Sequence, residues 1–203
     1  MNFSVKMNNI ELNPKHYNWD IDNKTFSCEL NGITLDFSKM NFVSFHLKNN
    51  CTIKAGHSCT FNAGSHCVFN TDCDCVFSTD DYCVFNTGDK CTFSTFSVCV
   101  FNTGHKCVFY TLWNCTFNTG DKCVFKTDAC CTFKTGDNCT FDLPFTSEYN
   151  WDGFFDDDED VDVDVDWYKF NTGLSCIIIQ RKANSFELNY PESKKDLILH
   201  NNV

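Results

Sequence analysis

Cysteine recurs every eight residues over nearly half of this chain. It opens twelve consecutive octads, of which CVFNTGDK (residues 83–90) is typical, and Phe stands two residues later in all but the first, which has Ile53. Each unit is too short to bury an apolar face alone, so a repeat of this kind predicts stacked coils. The octads begin at Cys51, Cys59, Cys67, Cys75, Cys83, Cys91, Cys99, Cys107, Cys115, Cys123, Cys131 and Cys139.

Within each octad the residue types alternate with period two. Positions one, three and five hold Cys, Phe and Thr, whereas positions two and four hold Val or Thr and then a polar residue. Such alternation predicts a β-strand, with Cys, Phe and Thr on its buried face. Positions six to eight are often Gly-Asp-Lys or Gly-His-Lys, which predicts a corner.

Odd octads (the first begins at Cys51) and even octads (the first begins at Cys59) differ. The odd corners are short and polar, and the even corners are irregular and increasingly apolar. This parity predicts an all-β, two-sided parallel β-solenoid with two octads, or 16 residues, in each coil. Position four of the odd octads predicts an asparagine ladder, whose amides would bond to one another along the axis. Its members are Asn70, Asn86, Asn102, Asn118 and Asn171.

The pattern also predicts how the chain divides. Val43, Phe45 and Leu47 match positions one, three and five, and Leu35 and Phe37 are expected at positions one and three of the octad before. The string YKFNTGLSC restores an odd octad at Tyr168, so the segment before it is expected to be an insertion at an even corner. We therefore predict an N-terminal cap (1–34), the solenoid (35–143), an acidic and aromatic insertion (144–167), and the last coil with a C-terminal cap (168–203).

Charge is concentrated in the insertion. The chain has a net charge of −11, and residues 147–167 hold ten acids and no Lys or Arg. The remainder has 17 acids against 16 bases, which argues against nucleic-acid binding and against mimicry of DNA. No apolar run is long enough to span a membrane, and the N-terminal stretch lacks the apolar core of a secretory signal.

The sixteen cysteines are predicted to be reduced. Twelve occupy one buried position of the repeat, where Cys acts as a small apolar residue. Stacked coils would allow disulfides only with strain. We therefore expect a reducing compartment, such as a host cytoplasm, or a virion. The spacing of eight does not match zinc sites, so no metal and no cofactor are predicted.

The histidines do not indicate catalysis. His46, His57, His66 and His105 fall at unrelated octad positions, and no phosphate loop or dinucleotide fingerprint is present. The sequence therefore predicts a protein that is not an enzyme.

The apolar even corners give the best functional clue. Exposed aromatic rows are typical of interfaces, so a protein partner or a homo-oligomer is favoured over a small-molecule ligand. Alternatively, the insertion could cover the same edge. The candidate interface residues are Tyr82, Phe96, Leu112, Trp113, Phe145, Trp151, Phe154, Phe155 and Trp167.

Two ligand-binding alternatives remain open. The acidic loop could bind Ca²⁺ or a basic partner, although it lacks the Gly and terminal Glu of an EF-hand, and the pattern favours a solvated acidic loop or a short strand with one acidic face over a cation site. Outward Thr and Asn rows could bind ice, although Val interrupts the Thr row. The loop residues are Asp156, Asp157, Asp158, Glu159, Asp160, Asp162, Asp164 and Asp166.

The string CTFNTGDKCVFKT (residues 115–127), with SCIIIQRK (residues 175–182), resembles uncharacterised octapeptide-repeat proteins of bacteriophage, viral and bacterial genomes. This resemblance implies solenoid architecture and a structural or adhesive role, as in a tail, fibre or decoration component of a particle. It brings no catalytic residues, and the acidic insertion departs from the pattern.

Overall fold

The computed structural model describes residues 3–128, 130–143, 168–172, 176–182, 185–189 and 196–199. Within these ranges the regular structure is β-strand apart from one 3₁₀ turn, Pro14–His16, so the all-β prediction is confirmed. In the same part of the chain, no helix has the length and apolarity that crossing a membrane requires.

Twenty-two short strands follow one another along the chain. In the N-terminal half they are β1 (Ser4–Met7), β2 (Ile10–Glu11), β3 (Asn18–Asp20), β4 (Thr25–Ser27), β5 (Ile33–Phe37), β6 (Ser44–His46), β7 (Thr52–Ala55), β8 (Thr60–Ala63), β9 (Val68–Thr71), β10 (Val76–Thr79) and β11 (Val84–Asn86). The remainder are β12 (Thr92–Thr95), β13 (Val100–Asn102), β14 (Val108–Thr111), β15 (Thr116–Asn118), β16 (Val124–Thr127), β17 (Cys131–Lys134), β18 (Thr140–Leu143), β19 (Tyr168–Asn171), β20 (Ile177–Lys182), β21 (Ser185–Asn189) and β22 (Asp196–Leu199).

The strands form two sheets of eleven strands each. The odd face has the order β2-β1-β5-β7-β9-β11-β13-β15-β17-β19-β22, and the even face has β21-β20-β18-β16-β14-β12-β10-β8-β6-β4-β3. Along the odd face Val84 pairs with Val100 and Val100 with Thr116, in parallel and 16 residues apart. The predicted two-sided solenoid with two octads in each coil is therefore confirmed.

Phenylalanine fills the space between the sheets. Phe101 stacks on Phe85 and Phe117 with ring centroids 4.9 Å apart, and it meets Phe93 and Phe109 edge-on at 5.2 Å. All five rings are fully buried. Offset stacked and edge-to-face contacts are the favourable aromatic geometries, so each coil fixes the rings of the next.

Cysteine fits position one because it is small and because its thiol reaches a corner. The Cys107 Sγ donates to the Gly88 carbonyl 3.6 Å away, one coil below, and its own carbonyl accepts from the Val124 N–H at 2.9 Å. A larger side chain would have no room beneath the corner, since this position is completely buried.

Each described corner between β5 and β18 turns through a left-handed residue at position eight, with φ between 55° and 60°, although none of these residues is Gly. Ten of their N–H groups, those of the residues from Phe42 to Lys122 other than Asn114, bond to the corner of the next coil, as Lys106 N–H does to the Asp121 carbonyl at 2.9 Å. The sequence predicts the corners but not this conformation. The residues are Phe42, Asn50, Ser58, His66, Asp74, Tyr82, Lys90, Val98, Lys106, Asn114, Lys122, Cys130 and Asn138.

Two parts of the predicted pattern are wrong: the register of β5 and the burial of most position-five threonines on the odd face. Leu35 pairs with Ile53 and Phe37 with Ala55, so they occupy positions three and five rather than one and three. The corner after β5, residues 38–42, has two residues more than the regular corners, which displaces the octad. Threonine at position five is buried on the even face, as in Thr95 and Thr111, but it is half-buried in the odd octads that begin at Cys67 to Cys131. One of these is Thr103, which follows the end of β13, whereas Thr172 in the last odd octad is buried.

Antiparallel strands close both ends. On the odd face β1 and β2 precede β5 and β22 follows β19, while on the even face β3 precedes β4 and β21 follows β20. Parallel pairing already includes β4, within the stretch that the sequence assigns to a cap. After the insertion, Tyr168 pairs with Cys131 on the odd face and Ile177 with Thr140 on the even face, which confirms the predicted parity.

Candidate functional site

The even edge, formed by the even-octad corners from residue 64 to 130, exposes large apolar side chains. Phe96 and Leu112 stand at position six of adjacent coils, Trp113 at position seven and Tyr82 at position eight. Tyr82 and Phe96 are both 52% exposed, and Trp113 is 41% exposed. Four predicted interface residues are thus on one edge, whereas Phe145, Trp151, Phe154, Phe155 and Trp167 lie outside the described residues.

The structure divides this row into two surfaces. Position eight follows the corner and adjoins the odd face, where the Tyr82 ring stacks on His66 with centroids 4.8 Å apart. Position six precedes the corner and adjoins the even face, where Phe96 and Leu112 are joined by a backbone bond of 3.2 Å from the Leu112 N–H to the Phe96 carbonyl. We call the exposed aromatic side chains at positions seven and eight of this edge, His66, Tyr82 and Trp113, the aromatic ridge.

On the position-six side of the edge, residues at positions four to six of the even octads line a hollow of about 390 Å³. We call this hollow the even-face groove. It arises because position five points inward while positions four and six point outward, which leaves a channel above the position-five threonines. Volumes of a few hundred cubic ångströms are typical of ligand sites. The lining residues are Asn62, Ala63, Ser78, Thr79, Asp80, Ser94, Thr95, Phe96, Tyr110, Thr111, Leu112 and Lys126.

The groove changes character along its length. At one end Asn62 and Asp80 are polar, and at the other the Lys126 ammonium lies 5.7 Å from the centroid of the Tyr110 ring, a cation–π contact. Beyond Lys126 a smaller hollow is lined by Lys126, Thr127, Asp128 and Asp142. Burial raises the pKa of the Asp128 carboxyl above its ordinary value.

Sequence reasoning missed the groove. Tyr110 and Lys126 were recognisable only as members of the variable position-four series of the even octads. The signal that could have shown their role is the contrast with small Ser78 and Ser94 at the same position, which leaves an open space beside Tyr110.

The asparagine ladder has the predicted amide bonds. Nδ2 of Asn86, Asn102 and Asn118 donates to Oδ1 of the preceding Asn at 3.1, 2.9 and 3.0 Å. Asn171 pairs with Lys134, which separates it from Asn118. The bonds run between coils, so the ladder is part of what holds the odd face together.

The outward position-two row of the odd face lies beside the ladder. It begins with two threonines, continues with three valines and returns to two threonines, so the predicted interruption is present in space. The row is Thr34, Thr52, Val68, Val84, Val100, Thr116 and Thr132.

The cysteines form two buried columns. The pKa of Cys67 is raised by the neighbouring thiols of Cys51 and Cys83 and by burial, so this thiol stays protonated. Cys73 and Cys130 alone are half-buried, one at each edge. Among the described residues, no group of three or more His, Cys, Asp or Glu side chains could hold a metal ion. The acidic loop proposed for Ca²⁺ lies outside those residues.

At the odd edge, formed by the odd-octad corners from residue 56 to 138, His105 has a structural position. The Nδ1 atom of the His105 ring accepts from the Asp121 backbone N–H at 2.8 Å, and the His105 backbone N–H donates to Asp89 Oδ1 at 2.8 Å. The Asp121 carboxylate in turn accepts from the Asp137 N–H at 2.9 Å. Position seven thus caps each next coil in this stretch.

Comparison with protein-family models, with curated proteins and with solved structures found no match.

Proposed function

We propose that this protein is a rigid, non-enzymatic scaffold that contacts a protein partner through the aromatic ridge. The observation that carries the proposal is the asymmetry of the edges: Tyr82 and Trp113 are exposed at the even edge, whereas the odd edge presents polar residues such as Lys106 at the same positions. Aromatic anchors at protein surfaces are enriched in interfaces.

The packed interior supports a structural role over catalysis. Stacked Phe and Cys fill the space between the sheets in the described coils, and the surface groove is shallow. The resemblance of the octads to phage and viral proteins supports a place in an assembled particle. The buried thiols, none of which forms a disulfide among the described residues, support a reducing environment.

Self-association is the first form of the proposal to test. Size-exclusion chromatography with light scattering would compare the intact chain with a Tyr82→Ser/Trp113→Ser variant and with a control, Lys106→Ser/Lys122→Ser, on the odd edge. We expect a discrete oligomer that only the ridge variant dissociates. A third chain, with residues 147–167 replaced by a Gly/Ser linker, tests the predicted contribution of the insertion.

A monomer at every concentration would contradict self-association through the ridge. Equal dissociation by the ridge and control variants would contradict the assignment of the contact to the even edge.

A further inference from the structure

We propose that the even-face groove binds an oligosaccharide, with one pyranose ring stacked against Tyr110. This inference goes beyond the scaffold function and uses a different surface, because residues at positions four to six of the even octads line the groove, and no residue of the aromatic ridge is among them.

The first argument is the aromatic seat. Tyr110 is 47% exposed, and Lys126, one coil further along, covers one face of its ring. The other face therefore looks toward Ser94, one coil back, and toward Ser78 beyond it. Because both are small, a space one to two coils long remains beside this face, opposite half-exposed Phe96.

The second argument is the polar lining. Asn62, Ser78, Ser94, Asp80 and Lys126 bring amide, hydroxyl, carboxylate and ammonium groups to a hollow that is too shallow to hold a ligand by apolar burial alone. A ligand with many hydroxyls and a flat C–H face suits this combination, and a pyranose has both.

The third argument is the floor. Thr95 is 7% exposed, and its Oγ1 has no hydrogen-bond partner among the described residues. A buried hydroxyl without a partner is costly, and Thr95 lines the hollow, so this part of the floor has hydrogen-bonding capacity that the chain leaves unused.

The fourth argument is the spacing. Side chains along the groove recur once per coil, about 4.8 Å apart, whereas the side chains on one face of an extended peptide recur about every 6.6 Å. A peptide laid along the axis would lose register within two coils. A pyranose ring is about as long as one coil spacing, so successive sugars would meet equivalent positions.

The test begins with the intact protein on an array of neutral and anionic oligosaccharides, followed by calorimetric titration with the strongest binder. Tyr110→Ser is the informative variant, because Ser78 and Ser94 show that this position accepts Ser within the fold. Asn102→Ser, at position four of the odd face, is the matched control. We expect Tyr110→Ser to weaken binding at least tenfold and Asn102→Ser to leave it unchanged.

The proposal is overturned if no oligosaccharide binds at millimolar concentration, or if Tyr110→Ser binds as tightly as the intact chain. The Tyr82→Ser/Trp113→Ser variant should keep its glycan affinity, so failure of the scaffold proposal and failure of this one give different results.

Discussion

Position six of the corner is Gly in five of the six odd corners, whereas the even edge has Gly there only in its first corner, at Gly64, and then has Asp80, Phe96, Leu112 and Asp128. The backbone nevertheless follows the same course at both edges. Position eight is left-handed in both, and position six bonds to position six of the preceding coil at both, at 3.0 Å from Gly120 to Gly104 and 3.2 Å from Leu112 to Phe96.

The difference lies in how position seven is used. At the odd edge an unbroken series of side chains, Asp89, His105 and Asp121, caps the next coil, and glycine at position six leaves room for it. At the even edge Asp81 still caps the Ser97 N–H at 2.7 Å, but Ser97 is followed by exposed Trp113. The core and backbone therefore suffice for the fold, and the even edge is available for other contacts.

The largest expected effect is on the rate at which the thiols are alkylated. Each edge has one half-buried cysteine. Cys73 at the odd edge and Cys130 at the even edge should react with iodoacetamide in the native protein, and the fourteen buried cysteines should react about a thousandfold more slowly, through unfolding. Burial raises the pKa of Cys130, so its labelling should speed up as the pH is raised. Timed labelling with mass spectrometry measures this, and all sixteen thiols should react alike in denaturant. Rapid labelling of Cys75 would contradict the buried column.

A core substitution should affect both edges alike. Phe101→Ala removes a fully buried ring with four aromatic neighbours and should lower the free energy of unfolding by about 3–5 kcal/mol. Urea unfolding monitored by circular dichroism measures the loss. Labelling of Cys73 and Cys130 during the same titration should show one transition, and two separate transitions would mean that the edges unfold independently.

Substitution at position six should lower the free energy of unfolding more at the odd edge than at the even edge. A Cβ at Gly136 would lie 2.8 Å from the Asp121 backbone nitrogen and 2.9 Å from the Gly120 carbonyl carbon, so Gly136→Ala should cost about 1–3 kcal/mol. Phe96→Ala at the even edge should cost about 0.5 kcal/mol or less, because half of that side chain is exposed. Equal losses in urea titrations would contradict the distinction.

At position eight the backbone is strained where the residue is β-branched. Val98 has φ 58°, and Asn tolerates this region better, as Asn114 shows one coil further along. Val98→Asn should therefore raise the free energy of unfolding by about 1 kcal/mol. The reciprocal variant, Asn114→Val, should lower it by a similar amount, and thermal melts of the pair would show whether the two shifts are opposite in sign.

The smallest expected effect depends on pH. Because burial raises the pKa of Asp128, the folded protein holds this proton to higher pH than the unfolded chain does. The associated stability is fully present below the unfolded pKa and is lost as pH rises through the folded one. Asp128→Asn should thus melt slightly higher than the intact chain near pH 7 and equally at about pH 3. A lower melting temperature of the variant near pH 7 would contradict a desolvated carboxylate.

The repeat allowed the solenoid, its parity and the buried Cys and Phe columns to be predicted, because period two and period eight act on every coil. The register of Leu35 and Phe37 could not be predicted, since it depends on the length of one irregular corner. The left-handed position eight also escaped, because local turn chemistry favours Gly there and inter-coil bonds override that preference.

The candidate surfaces were predictable only in part. Phe96, Leu112 and Trp113 were found because apolar residues in corners are conspicuous. Tyr110 and Lys126 were not, because their role depends on small serines in neighbouring coils.

Because antiparallel strands close both ends of the stacked coils, the length of the solenoid is set by the number of coils between them. A gain or loss of sixteen residues, which near-identical repeats in a gene invite through unequal recombination, would change the rod by one coil of about 4.8 Å and leave both caps intact. The distance between surface groups on either side of the added or lost coil would then change by one coil spacing. The length of the solenoid would therefore vary in evolution without any change in the strands that close its ends.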